Sequence, residues 1–318
     1  MRLRKINGVF EGGGVRAIAL IGAVKATEER GYKFDRMAGT SSGAIVSSFI
    51  AAGYTAEEMK DIVLQTPFTE FLKTSPLLKV PVIGKTIRFY LKQGLHSGDQ
   101  LEQWVREQLL KKGLRTFGDL EKNKLRIIAS DITRGKLLVL PEDIAEYGED
   151  PNKLEIARAV RMSTSIPFFF DPVILSVRSA SIKKNYYIVD GGILSNFPLW
   201  LFDQRVKDMS LSALYRVTPV IGYQLVGKKD YMPNQIKGPL SMLQAVISTM
   251  MGAHDERYIE EHSDFRTIKI RTLGVSTTQF DISPQKSLEL YQSGLAAGRK
   301  FFKSWTFADY IEKLKQVQ

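Results

Sequence analysis

Short apolar runs alternate with longer, helix-length runs along the first part of the chain. Residues 6–10 and 34–38 have the length and composition of buried strands, whereas residues 18–30 and 44–52 have the length of helices. Gly31 follows the first of these helices and is expected to end it as a C-cap. A strand–helix–strand–helix order is typical of a parallel sheet covered by helices, so the pattern predicts an α/β fold.

The same alternation continues to the C-terminus. It predicts helices at residues 54–65, 100–112, 156–162 and 240–251, and a C-terminal helix after Ser283. It predicts strands at residues 125–130, 137–140, 186–189, 217–226 and 266–270. Thr55 and Glu58 have the spacing of a capping box at the start of the helix 54–65. The sequence contains no internal repeat and no Pro- or Ser-rich linker. We therefore predict one domain over residues 1–318, a three-layer α/β/α sandwich around a mostly parallel sheet.

Composition narrows the chemistry. The 318 residues include no cysteine, which excludes disulfides, a thiolate nucleophile and Cys-based metal sites, and they include three histidines. We therefore expect neither a metal ion nor another cofactor. The formal net charge of +11 favours attraction to polyanions such as an anionic membrane, with simple solubility as the alternative explanation. We expect no nucleic-acid partner, and the sequence leaves the oligomeric state open.

Residues 71–98 differ from the rest of the chain because they contain no acidic residue. Basic side chains alternate there with apolar ones, at Lys73, Lys79, Lys85, Arg88 and Lys92. This mixture suits a lid or a segment that contacts anionic lipid, although a loop and helix with a solvated basic face has the same composition. No apolar run reaches the roughly 18 residues of a transmembrane helix. We expect a cytoplasmic protein that is peripheral to membranes at most.

Residues 39–43, Gly-Thr-Ser-Ser-Gly, lie between a predicted strand and a predicted helix. A serine on such a turn projects its hydroxyl, and Gly39 and Gly43 keep side chains away from the crowded backbone. The helix also points its N-terminal N–H groups and the positive end of its dipole at the serine oxygen. Ser41 is therefore the candidate nucleophile, although a Gly/Ser turn alone also fits an ordinary helix start.

The loop between the first strand and the first helix contains three glycines, Gly12, Gly13 and Gly14. Together with Ala17 they fit a relaxed dinucleotide-binding fingerprint. However, the second strand lacks the acidic residue at its end that would bind a ribose, and no Gly-Lys-Ser/Thr follows the glycines. We therefore interpret the loop as a source of N–H groups for an oxyanion beside Ser41. Arg16 either braces this loop, binds a substrate phosphate or is a surface cation.

A serine hydroxyl is a poor nucleophile until a base accepts its proton. His254 and His262 come late in the chain, where an α/β-hydrolase order would place the histidine, but they lie among charged residues typical of a surface. Asp190 ends a predicted strand, and Gly191 and Gly192 behind it leave room for a carboxylate in a tight site. Because an ordinary aspartate has a pKa of about 3.9, such a site has to desolvate it. Asp190 is favoured over a His254-based triad, with an ordinary turn as the remaining alternative.

Four motifs occur in order along the chain: Gly12-Gly13-Gly14-Val15-Arg16, Gly39-x-Ser41-x-Gly43, Ser163-x-Ser165-x-Pro167 and Asp190-Gly191-Gly192. In this order they resemble the patatin-like phospholipases, and the similarity extends from about Asn7 to Pro198. The resemblance implies that Ser41 is the nucleophile and Asp190 the base of a Ser-Asp dyad without histidine. It also implies that the glycine loop forms the oxyanion hole with support from Arg16.

Two parts of the chain depart from this resemblance. Ala17 stands where the family usually has glycine. Residues 199–318 share only the expected architecture, so they are expected to complete the sheet, add the C-terminal helices and hold substrate selectivity.

The sequence as a whole predicts a lipid acyl hydrolase, a phospholipase A-type serine esterase that cleaves fatty-acyl esters through an acyl-enzyme. A non-catalytic lipid- or membrane-binding protein on the same fold is the alternative. Neither the head group nor the acyl chain length of the ester follows from the residues.

Overall fold

The computed structural model describes residues 4–72, 94–179, 182–203, 209–214, 216–227, 263–277 and 279–317, together with a few isolated residues between 236 and 249. Most of the stretch 71–98 with its predicted membrane contact lies outside these residues. The same holds for most of the predicted helix 240–251 and for both His254 and His262.

The described residues form strands and helices in alternation. The strands are β1 (Arg4–Phe10), β2 (Tyr32–Thr40), β3 (Gly94–His96), β4 (Leu125–Asp131), β5 (Lys136–Leu140), β6 (Phe168–Phe170), β7 (Val173–Ser179), β8 (Ile182–Asp190), β9 (Val220–Val226) and β10 (Thr267–Arg271). The helices are α1 (Ala17–Glu29), α2 (Ser42–Ala51), α3 (Ala56–Gln65), α4 (Asp99–Lys111), α5 (Ile156–Ser163), α6 (Leu211–Leu214), α7 (Pro284–Ser304) and α8 (Phe307–Val317). Within this described part, none of the helices has the length and apolar character that crossing a bilayer requires.

The elements predicted on described residues are present, with ends that differ by a few residues. The strand predicted at 34–38 extends over Tyr32–Thr40, so that Ser41 follows it directly. The capping box is confirmed: the Glu58 N–H donates to the Thr55 hydroxyl at 3.2 Å, and the Thr55 N–H donates to the Glu58 carboxylate at 2.7 Å. Strands β3, β6 and β7 and the short helix α6 were not predicted.

One mixed sheet contains most of the strands, in the order β10–β9–β1–β2–β4–β8–β7, with β5 on the other edge of β4. The pairs from β10 to β4 are parallel, whereas β4 pairs antiparallel with β5 and with β8, and β8 with β7. Strands β3 and β6 form a separate two-stranded parallel sheet. The predicted α/β sandwich is confirmed, and the late strands β9 and β10 join the same sheet as β1.

Both faces of this sheet are covered by apolar side chains. Alternate residues of a strand point to opposite faces. On β1, Phe10 belongs to the large core under the main helices, whereas Val9 belongs to a smaller cluster with Leu199 and Phe202 on the other face. The sheet is therefore the middle layer, and the carboxyl ends of its strands are left for the loops that carry the candidate site.

Strand β4 brings together the ends of two strands that are far apart in sequence. Its residue Ile128 pairs with Thr40 of β2, and its next residue, Ala129, pairs with Asp190 of β8. Strand β5 pairs with residues 127–131 of β4 and so occupies one edge of that strand. Strands β2 and β8 must therefore lie end to end along the other edge of β4. Because β2 is parallel and β8 antiparallel to β4, their carboxyl ends meet.

Helices α1 and α7 pack with their backbones in contact at two glycines. A Cβ atom on Gly294 would lie 1.8 Å from the Ala19 carbonyl oxygen, and one on Gly22 would lie 2.0 Å from the Tyr291 carbonyl oxygen. Neither contact leaves room for a methyl group. This packing fixes α1, and with it the glycine loop that precedes it.

We expect Gly294→Ala to lower the free energy of unfolding by about 2 kcal/mol or more, although alanine is the better helix former by about 1 kcal/mol. The added methyl group forces the two backbones apart. Urea denaturation followed by circular dichroism measures the change, and Gln292→Ala on the exposed side of the same helix is the control, with an expected change within about 0.5 kcal/mol. Equal stability of the two variants would contradict the packing described.

Candidate active site

Ser41 occupies the turn between β2 and α2 in a conformation that is rare for a residue with a side chain. Its backbone has φ 52° and ψ −124°, and the residue is 3% exposed. Such a conformation costs on the order of 1–3 kcal/mol and persists only where neighbouring contacts hold it. Here the Ser41 N–H donates to Ser163 Oγ at 2.8 Å, and the Ser41 carbonyl accepts from the Ala44 N–H at 2.9 Å. The backbone is thus held on both sides of the hydroxyl.

The two glycines of the turn lie where other residues would clash with backbone. A Cβ atom on Gly39 would lie 2.3 Å from the Gly43 carbonyl oxygen, and one on Gly43 would lie 2.2 Å from the Phe10 carbonyl oxygen. The turn can therefore be this tight only with glycine at both positions.

Asp190 lies at the end of β8, next to the point where β2 ends, and is fully buried. Its Oδ1 accepts a hydrogen bond from the Gly192 N–H at 2.8 Å. Burial raises the pKa of Asp190 from 3.8 to about 7, against the opposite effect of hydrogen bonding from the Ser41 hydroxyl and the Gly192 N–H. The Ser41 hydroxyl therefore faces this carboxylate, whose Oδ2 has no hydrogen bond of standard geometry with the described residues. A carboxylate with such a pKa can accept a proton near neutral pH.

One short segment at the end of α5 binds the backbone of both residues. Ser163 Oγ accepts the Ser41 N–H, and the Ser165 carbonyl accepts the Asp190 N–H at 2.9 Å. The sequence identified this Ser-x-Ser motif without a role for either serine. Its role in the structure is to fix the distance between the two candidate catalytic residues.

Two of the three N–H groups of the glycine loop donate hydrogen bonds to other parts of the protein. The Gly12 N–H donates to the Asn196 carbonyl at 3.2 Å, and the Gly13 N–H donates to Ser42 Oγ at 2.9 Å. The Gly14 N–H has no acceptor among the residues that the structure describes, and Gly14 lines the same cavity as Ser41. Gly14 has φ 57° and approaches the backbone of Thr277 closely, so the position favours glycine.

Two charged residues hold this loop from below. Arg16 Nε donates to the Gly13 carbonyl at 3.0 Å, and burial lowers the pKa of Arg16 while the charge of Glu11 opposes that shift. Glu11 accepts hydrogen bonds from the Leu225 N–H and, at 3.3 Å, from Asn196 Nδ2. Arg16 thus braces the loop through the backbone. The roles of Glu11 and Asn196 were missed because a single buried acid or amide has no sequence pattern of its own.

Arg161 lies under the site and is 3% exposed. Its guanidinium donates to Ser165 Oγ and to the carbonyls of Ser97 and Asp171, the last at 2.7 Å. Burial lowers the pKa of Arg161. A Cβ atom on Gly98 would lie 2.5 Å from Arg161 Cζ. Arg161 therefore ties the Ser165 turn to two neighbouring segments.

A largely apolar cavity opens beside Ser41 and encloses about 730 Å³ of empty space, its mouth included. Its walls come from α1, α2, α3, α4, residues 164–170, Phe68, Phe71 and Phe280. Ser41 and Gly14 both line it, whereas His96, which packs on the Phe169 ring at 5.1 Å, does not. The cavity suits a hydrocarbon chain that is attached to a group at Ser41.

Comparison with known proteins gives a consistent result. The sequence model of the family described as Patatin-like phospholipase matches residues 8–203. The chain is 40% identical over 303 residues to the uncharacterized protein YqhO of Bacillus subtilis (strain 168), which covers 95% of this chain and 99% of that protein. It is 29% identical over 201 residues to the probable lipid hydrolase 463L of Invertebrate iridescent virus 6, which covers 60% of this chain and 61% of that protein.

The fold also occurs in a solved structure. The crystal structure of VipD from Legionella pneumophila matches 95% of this chain and 67% of that chain with a TM-score of 0.54 and 18% sequence identity. At this identity the similarity concerns the fold.

The raised pKa of Asp190 predicts a specific pH dependence of stability. Between about pH 4 and pH 7 the folded protein keeps a proton that the unfolded chain has released, so stability falls as the pH rises from about 4 to about 7 and then levels off. Asp190→Asn keeps an acceptor for the Gly192 N–H and carries no charge. We expect its free energy of unfolding, relative to wild type, to increase by up to about 4 kcal/mol from pH 4 to pH 8.

Urea denaturation at a series of pH values measures this difference, and Asp131→Asn is the matched control. Asp131 is also fully buried. Burial acts to raise its pKa, but hydrogen bonds from Tyr147 and Arg134 outweigh that effect, so the pKa of Asp131 is lowered. Its removal should therefore change the pH dependence of stability, with the opposite sign, only below about pH 4, and should leave a curve parallel to wild type between about pH 4 and pH 8. Parallel stability curves for wild type and Asp190→Asn would show that Asp190 has an ordinary pKa.

Proposed function

The chain belongs to the patatin-like phospholipase family, a family of hydrolases, and we propose that it is a lipid acyl hydrolase with Ser41 as nucleophile and Asp190 as general base. The observation that carries the proposal is the meeting of β2 and β8 on β4. It places the strained Ser41 turn against a buried carboxylate whose pKa is raised to about 7.

In the first half of the proposed reaction, Ser41 Oγ attacks the carbonyl carbon of the ester while Asp190 accepts the hydroxyl proton. The tetrahedral oxyanion forms beside the Gly14 N–H and the N-terminus of α2, where N–H groups and the helix dipole stabilise negative charge. Of the predicted oxyanion glycines, Gly12 and Gly13 then act by holding the loop, with Arg16 as its brace. Collapse of the intermediate transfers the proton from Asp190 to the leaving alcohol and leaves an acyl group on Ser41.

In the second half, water replaces the alcohol. Asp190 accepts a proton from the water as the water oxygen attacks the acyl carbonyl carbon. Asp190 then returns the proton to Ser41 Oγ as the fatty acid leaves. Water has to reach a serine that is 3% exposed. The cavity supports a lipid ester as the substrate, since it offers apolar walls to the acyl chain. The absence of cysteine from the sequence supports a cytoplasmic location as part of the proposal.

We expect Ser41→Ala and Asp190→Asn each to lower kcat for short p-nitrophenyl esters by about 10³-fold or more with the fold intact. Wild type should be labelled covalently by a fluorophosphonate, and Ser41→Ala should not. His254→Ala is the control for the alternative triad and should retain activity. Neither labelling nor hydrolysis of any lipid ester would favour a non-catalytic lipid-binding protein, and loss of activity in His254→Ala would favour a Ser-His-Asp triad.

The value of kcat/KM should rise with pH through about 7, because Asp190 accepts a proton only when it is ionised. The measurement is the pH profile with a short p-nitrophenyl ester between about pH 5 and pH 9. A profile that is flat over this range would show that the base is already ionised at about pH 5 and that burial does not tune it.

We also propose that residues 71–98 contact anionic membranes, on the basis of their basic and apolar composition. Replacement of Lys85, Arg88 and Lys92 by Glu should weaken sedimentation with phosphatidylglycerol vesicles several-fold. The control has the same change in net charge on the exposed side of the C-terminal helices, at Lys300, Lys303 and Lys313. Equal losses of vesicle binding in both triple variants would show that binding depends on net charge and not on residues 71–98.

A further inference from the structure

The cavity beside Ser41 runs along one face of α2. Ser42, Ile45, Val46 and Phe49 line it, and this spacing places them on the same side of a helix. Since a helix rises 1.5 Å per residue, Phe49 lies roughly 10 Å further along α2 than Ser42. The cavity therefore extends away from the nucleophile for the length of several methylene groups.

Among the residues that the structure describes, the hydroxyl groups that line the cavity lie at its Ser41 end. Ser42 is adjacent in sequence to Ser41, and Thr164 is adjacent to Ser163, whose hydroxyl accepts the Ser41 N–H. The side chains of Ile18 and Ile21 from α1, like those further along α2, are apolar. An ester therefore finds polar partners near Ser41, and its hydrocarbon part finds apolar walls in the direction of Phe49.

Aromatic rings form the wall of the cavity at Phe49. The ring centroids of Phe49 and Trp104 are 5.5 Å apart, and those of Phe71 and Trp104 are 5.4 Å apart. All three residues line the cavity, and Phe49 is 2% exposed. Rings that support one another in this way move little, because each is held by its neighbour as well as by the helix that carries it.

We infer, on the basis of the proposed function, that Phe49, supported by Trp104 and Phe71, limits the length of the acyl chain that the enzyme cleaves. Each methylene group that enters the apolar cavity raises kcat/KM by about fourfold. Once the end of the chain reaches the Phe49 ring, a further methylene has no space and the gain stops. The enzyme is therefore selective for acyl chains of medium length.

The first experiment measures kcat/KM for p-nitrophenyl esters from acetate to palmitate. In Phe49→Ala the preferred chain becomes longer, and the ratio of palmitate to octanoate activity rises about tenfold or more relative to wild type. In Ile45→Phe, where a ring is added closer to Ser41, the preferred chain becomes shorter while acetate is still cleaved. An unchanged preference in both variants overturns the inference.

Phe302→Ala is the matched control. Phe302 is 5% exposed in the same large core but does not line the cavity. It should lose stability as Phe49→Ala does and keep the wild-type chain preference. The pair Phe49→Leu and Phe302→Leu repeats the comparison with smaller losses of packing. A shifted preference in the Phe302 variants would attribute the effect to general loosening and overturn the inference.

The second experiment tests the acyl site without catalysis. In Ser41→Ala, a brominated fatty acid should quench the fluorescence of Trp104 in a saturable way, and the additional change Trp104→Phe should remove that quenching while Trp200 and Trp305 remain. Phe49→Ala should shift the tightest-binding fatty acid to a longer chain. If Ser41→Ala shows this quenching but the wild-type protein cleaves no ester, the result supports the acyl site and refutes the proposed function. Hydrolysis without quenching, with unchanged chain preference, supports the function and overturns the inference.

Discussion

The candidate site depends on the pairing of one strand, β4, with two others along a single edge. Successive residues of β4, Ile128 and Ala129, pair with Thr40 and with Asp190, so the carboxyl ends of β2 and β8 meet head to head. The parallel strand β2 ends directly before Ser41, and the antiparallel strand β8 ends at Asp190, so both pairings are needed to bring the two residues to the same point. The change from parallel to antiparallel pairing at β4 is therefore what brings Ser41 and Asp190 together across about 150 residues of sequence.

The same arrangement lowers the stability of the fold, and the proposed chemistry depends on it. Asp190 is fully buried with one hydrogen bond of standard geometry to its Oδ1, and desolvation raises its pKa to about 7. Ser41 is held at a positive φ by its neighbours. Both features oppose folding, and the surrounding contacts offset them: the Ser163 and Ser165 segment on one side and the close packing of α1 on α7 on the other. Rigid backbone around a strained serine and a desolvated base is a physical requirement of the chemistry proposed here.

The three glycines of the loop differ in the hydrogen bonds that their N–H groups donate. Gly12 and Gly13 direct their N–H groups to Asn196 and Ser42, and Arg16 binds the carbonyl of Gly13. Gly14 borders the cavity. In the proposed reaction, charge that develops at the ester meets backbone dipoles at the Ser41 end of the cavity, because the described walls beyond that end are apolar.

The sequence by itself determined the α/β class, the strand–turn–helix around Ser41, the glycine loop and Asp190 at the end of its strand, because these features are local and depend on residue period, glycine spacing and turn chemistry. It also indicated the family through four motifs in order. It did not determine the roles of Glu11, Asn196, Ser163 and Arg161, nor the division of the glycine N–H groups, since each depends on contacts between residues far apart in the chain. The raised pKa of Asp190 and the apolar cavity were likewise decided by tertiary structure, because burial is a property of the assembled layers and not of any one segment.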